Sequence, residues 1–180
     1  MTTFTATVTH RKPRRKHGEP ETLPFTVAVD TREQAPFTFT GMIADKGHPL
    51  VVPTRLATLS TGDYSIVGME SLVCVERKSA SDCFSTLSSG RERFEAEHVR
   101  MTAFKRSAVV IESDWPSMLL NPPCNSRLSP LSVQRTAVSW LVKYGIPWVA
   151  CPGRRYAELW TLDFLRKFFD HQQSLLEKEI

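Results

Sequence analysis

The 180-residue chain contains no run of about 18 consecutive apolar residues, which excludes a membrane-spanning helix. Its first twenty residues hold no apolar h-region, so no secretory signal is expected. Cysteine is scarce and scattered: Cys74, Cys83, Cys124 and Cys151 form no CxxC pair. That excludes a zinc-ribbon spacing and a disulfide framework, and predicts reduced thiols in a cytoplasmic, nucleoid-associated or (in a eukaryote) nuclear protein that is not secreted. The five histidines (His10, His17, His48, His98 and His171) show neither HxH nor HExxH spacing. Internal repeats are absent. The chain does have 41% hydrophobic residues, an ordinary share that suffices to bury the core of one domain and rules out disorder throughout.

No acidic residue precedes Glu19, whereas Arg11, Lys12, Arg14, Arg15 and Lys16 crowd into one short stretch. Removing those five from the 23 Lys and Arg leaves 18 against all 19 Asp and Glu, so the rest of the chain is close to neutral. Residues 1–23 are therefore expected to form a flexible basic arm ahead of a single domain at residues 24–180. Such an arm suits phosphate contacts with DNA. A solvated leader or an Arg-rich transit segment is the alternative.

Residues 25–30 (FTVAVD) read as a short apolar strand ending in an acid. Residues 31–50, with Pro36, Gly41, Gly47 and Pro49, read as an irregular excursion, and residues 51–59 as a strand interrupted by Pro53. A hairpin follows, 63–67 against 72–78. A helix capped by Ser79 or Ser81 runs to Leu87, and a second spans residues 91–105 with Phe94, His98 and Met101 on one stripe. Residues 107–112 form a strand, and four prolines after it mark an irregular stretch. Residues 131–144 form a helix closed by Gly145, residues 146–151 a strand, and the last helix reaches about Glu179 with Leu159, Leu162, Leu165 and Phe169 inward. This order predicts an α/β fold, a mixed β-sheet flanked by helices.

The hairpin carries the chemistry. With residues 68–71 as its loop, opposed pairs place Asp63 across from Glu76, with Cβ atoms about 5 Å apart. Two facing carboxylates persist only around a cation or a shared proton. A one-residue slip would separate them onto opposite faces. Glu76 and Lys78, two apart on a strand, share a face, and Asp30 offers a third carboxylate if its strand lies beside the hairpin. Oxygen ligands of this kind suit Mg²⁺ or Mn²⁺, which can activate water on a phosphodiester. Spacing alone leaves a surface ion pair as the open alternative.

The ordered run VAVDTRE (27–33), GDYSI (62–66), VERKSASD (75–82) and SSGR (88–91) resembles the nuclease domain of XPF-type structure-specific endonucleases, part of the restriction-endonuclease-like group. WVACPGRRYAELWTL (148–162) is similar to that family's last strand and helix. The resemblance implies that Asp63 and Glu76 are the principal metal ligands and that Lys78 places water or stabilises charge. It makes Asp30 an additional metal-site or supporting acid and Arg32 a phosphate contact or pocket organiser. Arg77 enters the catalytic pocket, with its carbonyl as a further metal ligand. Asp82 would pair with Arg77 or Arg32, Glu33 would lend structural support, and Arg91 would hold the DNA backbone. The implied function is Mg²⁺- or Mn²⁺-dependent hydrolysis of flap, fork or junction DNA, by a homodimer or with a heteromeric partner, the last helix supplying the surface. A catalytically silent DNA-binding or scaffold module of the same fold is the alternative.

Larger relatives carry tandem helix-hairpin-helix elements with glycines two apart, a spacing that none of the eight glycines here shows. Duplex grip is then expected from the arm, dimerisation or a partner. His98 is expected to be a satisfied core histidine, Cys74 core filler, and Trp140, Trp148 and Trp160 core or interface residues. For Arg154 and Arg155, phosphate binding and a solvated face both remain open.

Overall fold

Alternation of side chains across two buried strands builds the molecule around a mixed sheet. The computed structural model describes residues 19–44, 47–124 and 126–178. The chain runs β1 (Glu21–Thr22), β2 (Val27–Asp30), β3 (Met42–Ile43), β4 (Pro49–Val51), β5 (Thr54–Ala57), β6 (Tyr64–Ile66), β7 (Val73–Lys78), α1 (Ala80–Ser88), α2 (Arg91–Met101), β8 (Arg106–Ile111), α3 (Trp115–Leu120), α4 (Pro130–Tyr144), β9 (Trp148–Ala150) and α5 (Arg154–Leu176). The main sheet has the order β5-β2-β6-β7-β8-β9. β6 is antiparallel to both its neighbours; the other pairings are parallel, with helical crossovers joining β7 to β8 and β8 to β9 and the β3–β4 excursion joining β2 to β5. The predicted α/β class and mixed sheet hold.

Odd-numbered residues of β7 (Val73, Val75) pack with Val27, Val29, Tyr64 and Ile66 against Leu162, Leu165 and Phe168 of α5. Even-numbered Cys74 packs on the other face with Val109 and Ile111, under Phe84 of α1, Phe94 and Met101 of α2, and Trp140 of α4. Period 2 therefore sends Glu76 and Lys78 to the α2 face and Arg77 to the α5 face. Asp30 and Asp63 follow inward-pointing Val29 and precede Tyr64, so they too face α2.

Several sequence expectations shift. Glu21 and Thr22, assigned to the arm, pair with Leu50 and Val51, and with β3 they make a three-stranded satellite sheet inside the stretch read as irregular. Residues 115–120 are helical: Asp114 caps them by accepting from the Ser117 N–H, and Pro116 fits the first turn, a signal the prolines obscured. α2 stops at Met101 because Thr102 and Ala103 turn the chain toward β8. In α5 Leu159 is more than one-third exposed, and Phe168 takes its place in the core. Ser79 is the α1 cap, and Gly145 at φ 71° closes α4.

His98 is fully buried, as expected for a core histidine. Its Nδ1 lies 2.9 Å from the Phe94 carbonyl, and Trp148 Nε1 donates to its Nε2 at 2.8 Å, which fixes the neutral Nδ1–H tautomer. Burial pushes its pKa down to about 4. Between pH 6.5 and 4 the unfolded chain binds a proton that the folded chain refuses. The stabilisation tied to neutral His98 is complete above pH 6.5 and is lost as pH falls through this window, about 3 kcal/mol in total. Relative to His98→Gln, the wild type is expected to lose stability from pH 7 to pH 4.5, read as a change in the difference between their urea midpoints. A difference that does not vary with pH would remove His98 as the cause.

Candidate active site

Gly62 opens β6 at φ 78°, and a Cβ there would lie 3.1 Å from Cys74 Cβ and 3.2 Å from the Val75 carbonyl oxygen. Only glycine lets the chain enter β6 this close to β7. Asp63 is thereby set in place: its N–H donates to Val75 O at 2.8 Å and its carbonyl accepts from Asp30 N–H at 2.8 Å. The one bridged pair, Tyr64 with Val75, gives the register read from the sequence, so Asp63 lies across from Glu76. The connecting loop is wider than expected, because β6 ends at Ile66 and β7 begins at Val73.

Asp63 Oδ2 accepts from the Arg77 N–H at 2.7 Å. Burial, and then the Glu76 charge, push the Asp63 carboxyl up to about 8. Glu76 is 5% exposed, and burial pushes it up to about 7, with Glu97 of α2 adding to the rise. Lys78 Nζ donates to Glu76 Oε1 and stands 4.7 Å from the centre of the Phe94 ring. Burial alone would lower the Lys78 pKa, but the Glu76 carboxylate outweighs it and holds the ammonium charged. The predicted trio is thus brought together.

Asp30 lies beside them, yet all its acceptor capacity is taken. Its Oδ1 accepts from Arg32 N–H (2.8 Å) and Nε (2.7 Å), and its Oδ2 from Arg32 Nη2 (3.0 Å) and Leu59 N–H (2.7 Å). Burial would raise its pKa, but Arg32 holds it below the usual value. Asp30 thereby organises Arg32 and the start of the 59–62 turn. Arg32, with its side chain 66% exposed, also donates to the Leu59 carbonyl at 2.7 Å and reaches the pocket.

Arg77 departs from expectation. Its side chain lies on the α5 face, where Nε and Nη2 grip Glu33 Oε2 and Oε1 (3.0 and 3.1 Å) and Nη1 meets Glu112 at 3.0 Å. Glu33, on the same face, also accepts from the Ala35 N–H at 2.7 Å. Asp82 pairs with neither arginine; it accepts from Ser79 Oγ (2.6 Å), closing the α1 cap, because the helix turns it away from the pocket. Arg91 bonds Thr136 Oγ1 at 3.1 Å and stacks over Trp140, so α4 holds it outside the pocket. Arg154 donates to Glu112 and to the carbonyls of Ala35 and Pro36, and Arg155 to those of Thr40 and Gly41. Both arginines clamp the 35–41 loop onto α5. The basic cluster Arg11, Lys12, Arg14, Arg15 and Lys16 lies outside the described residues.

A cavity of about 560 Å³ opens over the trio. Residues that the sequence reading passed over line it: Gln34, Thr61, and Arg93, Glu97 and Arg100 of α2. The last three recur at i, i+4 and i+7, which places them on one helix face; the signal was present but named no destination. Among the described residues no cluster of three or more His, Cys, Asp and Glu is arranged as a metal cage. What is present is an opposed all-oxygen pair whose charges repel, with Glu97 close by. This donor set fits a hard divalent cation and not zinc.

The ERCC4 domain family model matches residues 29–164. No curated protein matches. Among solved structures, XPF from Aeropyrum pernix shares 19% identity at a TM-score of 0.59, covering 84% of this chain and 69% of that one. XPF from Aeropyrum pernix in complex with DNA shares 20% at the same TM-score, covering 82% and 66%. At that identity the structures establish the fold, and the family match spans the strands that hold Asp30, Asp63, Glu76 and Lys78. The chain belongs to the ERCC4 domain family, with the nuclease fold of XPF.

Proposed function

We propose that the chain is a metal-dependent DNA endonuclease that hydrolyses phosphodiester bonds in branched DNA such as flaps, forks or junctions. The observation that carries this reading is the Asp63–Glu76 pair, half-buried and buried, opposed on neighbouring strands with Lys78 bonded to Glu76. Crowding two like charges into a largely desolvated site is costly unless a cation or proton offsets it, so the pair is a poor structural device and a good cation seat. Asp63 and Glu76 would hold Mg²⁺ or Mn²⁺. The ion supplies Lewis acidity, lowering the pKa of water and offsetting charge on the phosphate. Lys78, held as an ammonium, cannot act as a base; it donates, either orienting the attacking water or neutralising charge as it grows on the phosphate. Arg32, locked by Asp30, presents a rigid guanidinium to the DNA backbone.

DNA as substrate is supported by the family match and by the fold neighbour recorded with DNA. The branched preference follows from the resemblance to XPF-type enzymes. The basic arm adds electrostatic grip in this reading. A homodimer, or a heteromeric partner, is part of it, and α4 offers a better surface than the last helix: Val138 and Val142 are 58% and 83% exposed, with Leu131 and Leu141 beside them. The four cysteines, all free thiols, accord with a cytoplasmic or nuclear setting.

The test is incubation of the full chain with labelled flap, fork and linear duplexes in Mg²⁺, Mn²⁺ or EDTA. Cleavage of the branched substrates with either metal, and none in EDTA, is expected. Binding without cleavage under every metal condition would replace the enzyme by the silent scaffold module.

A further inference from the structure

The pocket poses an electrostatic problem that its own residues solve unevenly. Asp63, Glu76 and Glu97 bring acid to the place a DNA strand must approach, and the body of the protein has almost no positive excess to draw it there. Three arginines line the same cavity. Arg32 is committed to Asp30 through two nitrogens, and Arg100 Nε donates to Thr61 Oγ1 at 3.0 Å. Arg93 is exposed and has no hydrogen bond, ion pair or ring contact among the described residues. It stays uncommitted although Glu97 follows it at i+4, the spacing at which a helical ion pair forms readily. A long cationic side chain left unpaired beside an acidic cavity has both its hydrogen-bonding fork and its charge available to an anion.

We propose that Arg93 is a phosphate-binding residue for the DNA strand in the active site. It approaches from the α2 side while Arg32 approaches from the sheet, so that the backbone of the strand passes between two guanidinium groups. The ligand chemistry is a phosphodiester, which guanidinium recognises through paired N–H donors. Arg93 would thus take the role that the sequence suggested for Arg91, two residues away and facing α4.

This inference rests on the nuclease reading, but its test does not require cleavage. Binding of a fluorescein-labelled flap duplex is measured in EDTA at several KCl concentrations. Arg93→Ala is expected to weaken binding about 5- to 10-fold at moderate salt. It should also reduce the steepness of log K against log [salt] by about 0.7–0.9, the signature of one lost phosphate contact. Arg93→Lys should restore the slope and part of the affinity, since it keeps the charge and loses the fork. Melting temperatures establish that all three proteins are equally folded. Unchanged affinity and slope in Arg93→Ala would overturn the proposal, even if the wild type cleaves DNA. Absence of cleavage by the wild type, with the slope change present, would overturn the nuclease reading and leave the Arg93 contact standing.

Discussion

Asp63→Asn and Glu76→Gln are each expected to reduce Mg²⁺-dependent cleavage at least about 10³-fold, and Asp63→Asn, which breaks no ion pair, also to raise the thermal stability of the metal-free protein. The first effect follows from the several kcal/mol of charge stabilisation that a bound cation supplies, at about 1.36 kcal/mol per tenfold in rate. The second has a separate cause. Burial, with the Glu76 charge acting on Asp63 and the Glu97 charge on Glu76, holds both carboxyls well above their usual values. A neutral amide removes the repulsion. Asn at 63 also keeps an oxygen for the Arg77 N–H, so the strand geometry survives. For Asp63→Asn a rise in Tm of about 3–6 °C in EDTA is expected, from about 1–2 kcal/mol of relieved repulsion. Single-turnover assays and thermal melts read the two effects independently. For Asp63→Asn, loss of activity accompanied by a large fall in Tm would mean that this carboxylate is structural.

Arg77→Ala is expected to fail in the opposite manner, by unfolding. The guanidinium is 9% exposed and lies between Glu33 (7%) and Glu112 (12%). Removing it leaves two carboxylates in a low-dielectric site with their principal partner gone. Deleting one partner of a buried charge cluster costs about 3–5 kcal/mol. The damage should spread, because Glu33 also holds the Ala35 N–H and Glu112 also holds Arg154, which clamps the same loop. Arg77→Lys keeps a charge but cannot grip both Glu33 oxygens, so it should lie between the two. Urea denaturation measures the loss. A variant of normal stability that no longer cleaves DNA would place Arg77 among the substrate contacts after all.

The strands were readable because strand geometry is local. A residue and its neighbour two along must share a face, so Glu76 and Lys78 were placed together without knowledge of what lay above them. The hairpin loop at residues 68–71 set the register, and the pairing of Asp63 with Glu76 followed. His98 was readable for the same reason, through the helical stripe it shares with Phe94 and Met101. The satellite sheet was not. Its strands are two or three residues long, and Glu21 finds Leu50 across a gap that no local pattern bridges. Nor was the fate of Arg154 and Arg155, whose carbonyl partners lie more than a hundred residues upstream.

The sequence by itself determined the α/β class, the facing acids and the lysine beside them, because each is set by backbone period or by one turn over a few residues, and its motifs carried the resemblance to the XPF nuclease fold. Tertiary structure decided everything that depends on which helix lies over the sheet. It brought Arg93, Glu97 and Arg100 of α2 to the pocket, turned Asp82 and Arg91 away from it, and gave Arg77 to Glu33 and Glu112 on the far side. Charge pairs form where packing puts them, and a side chain's type does not record which of several possible partners the folded chain will carry to it.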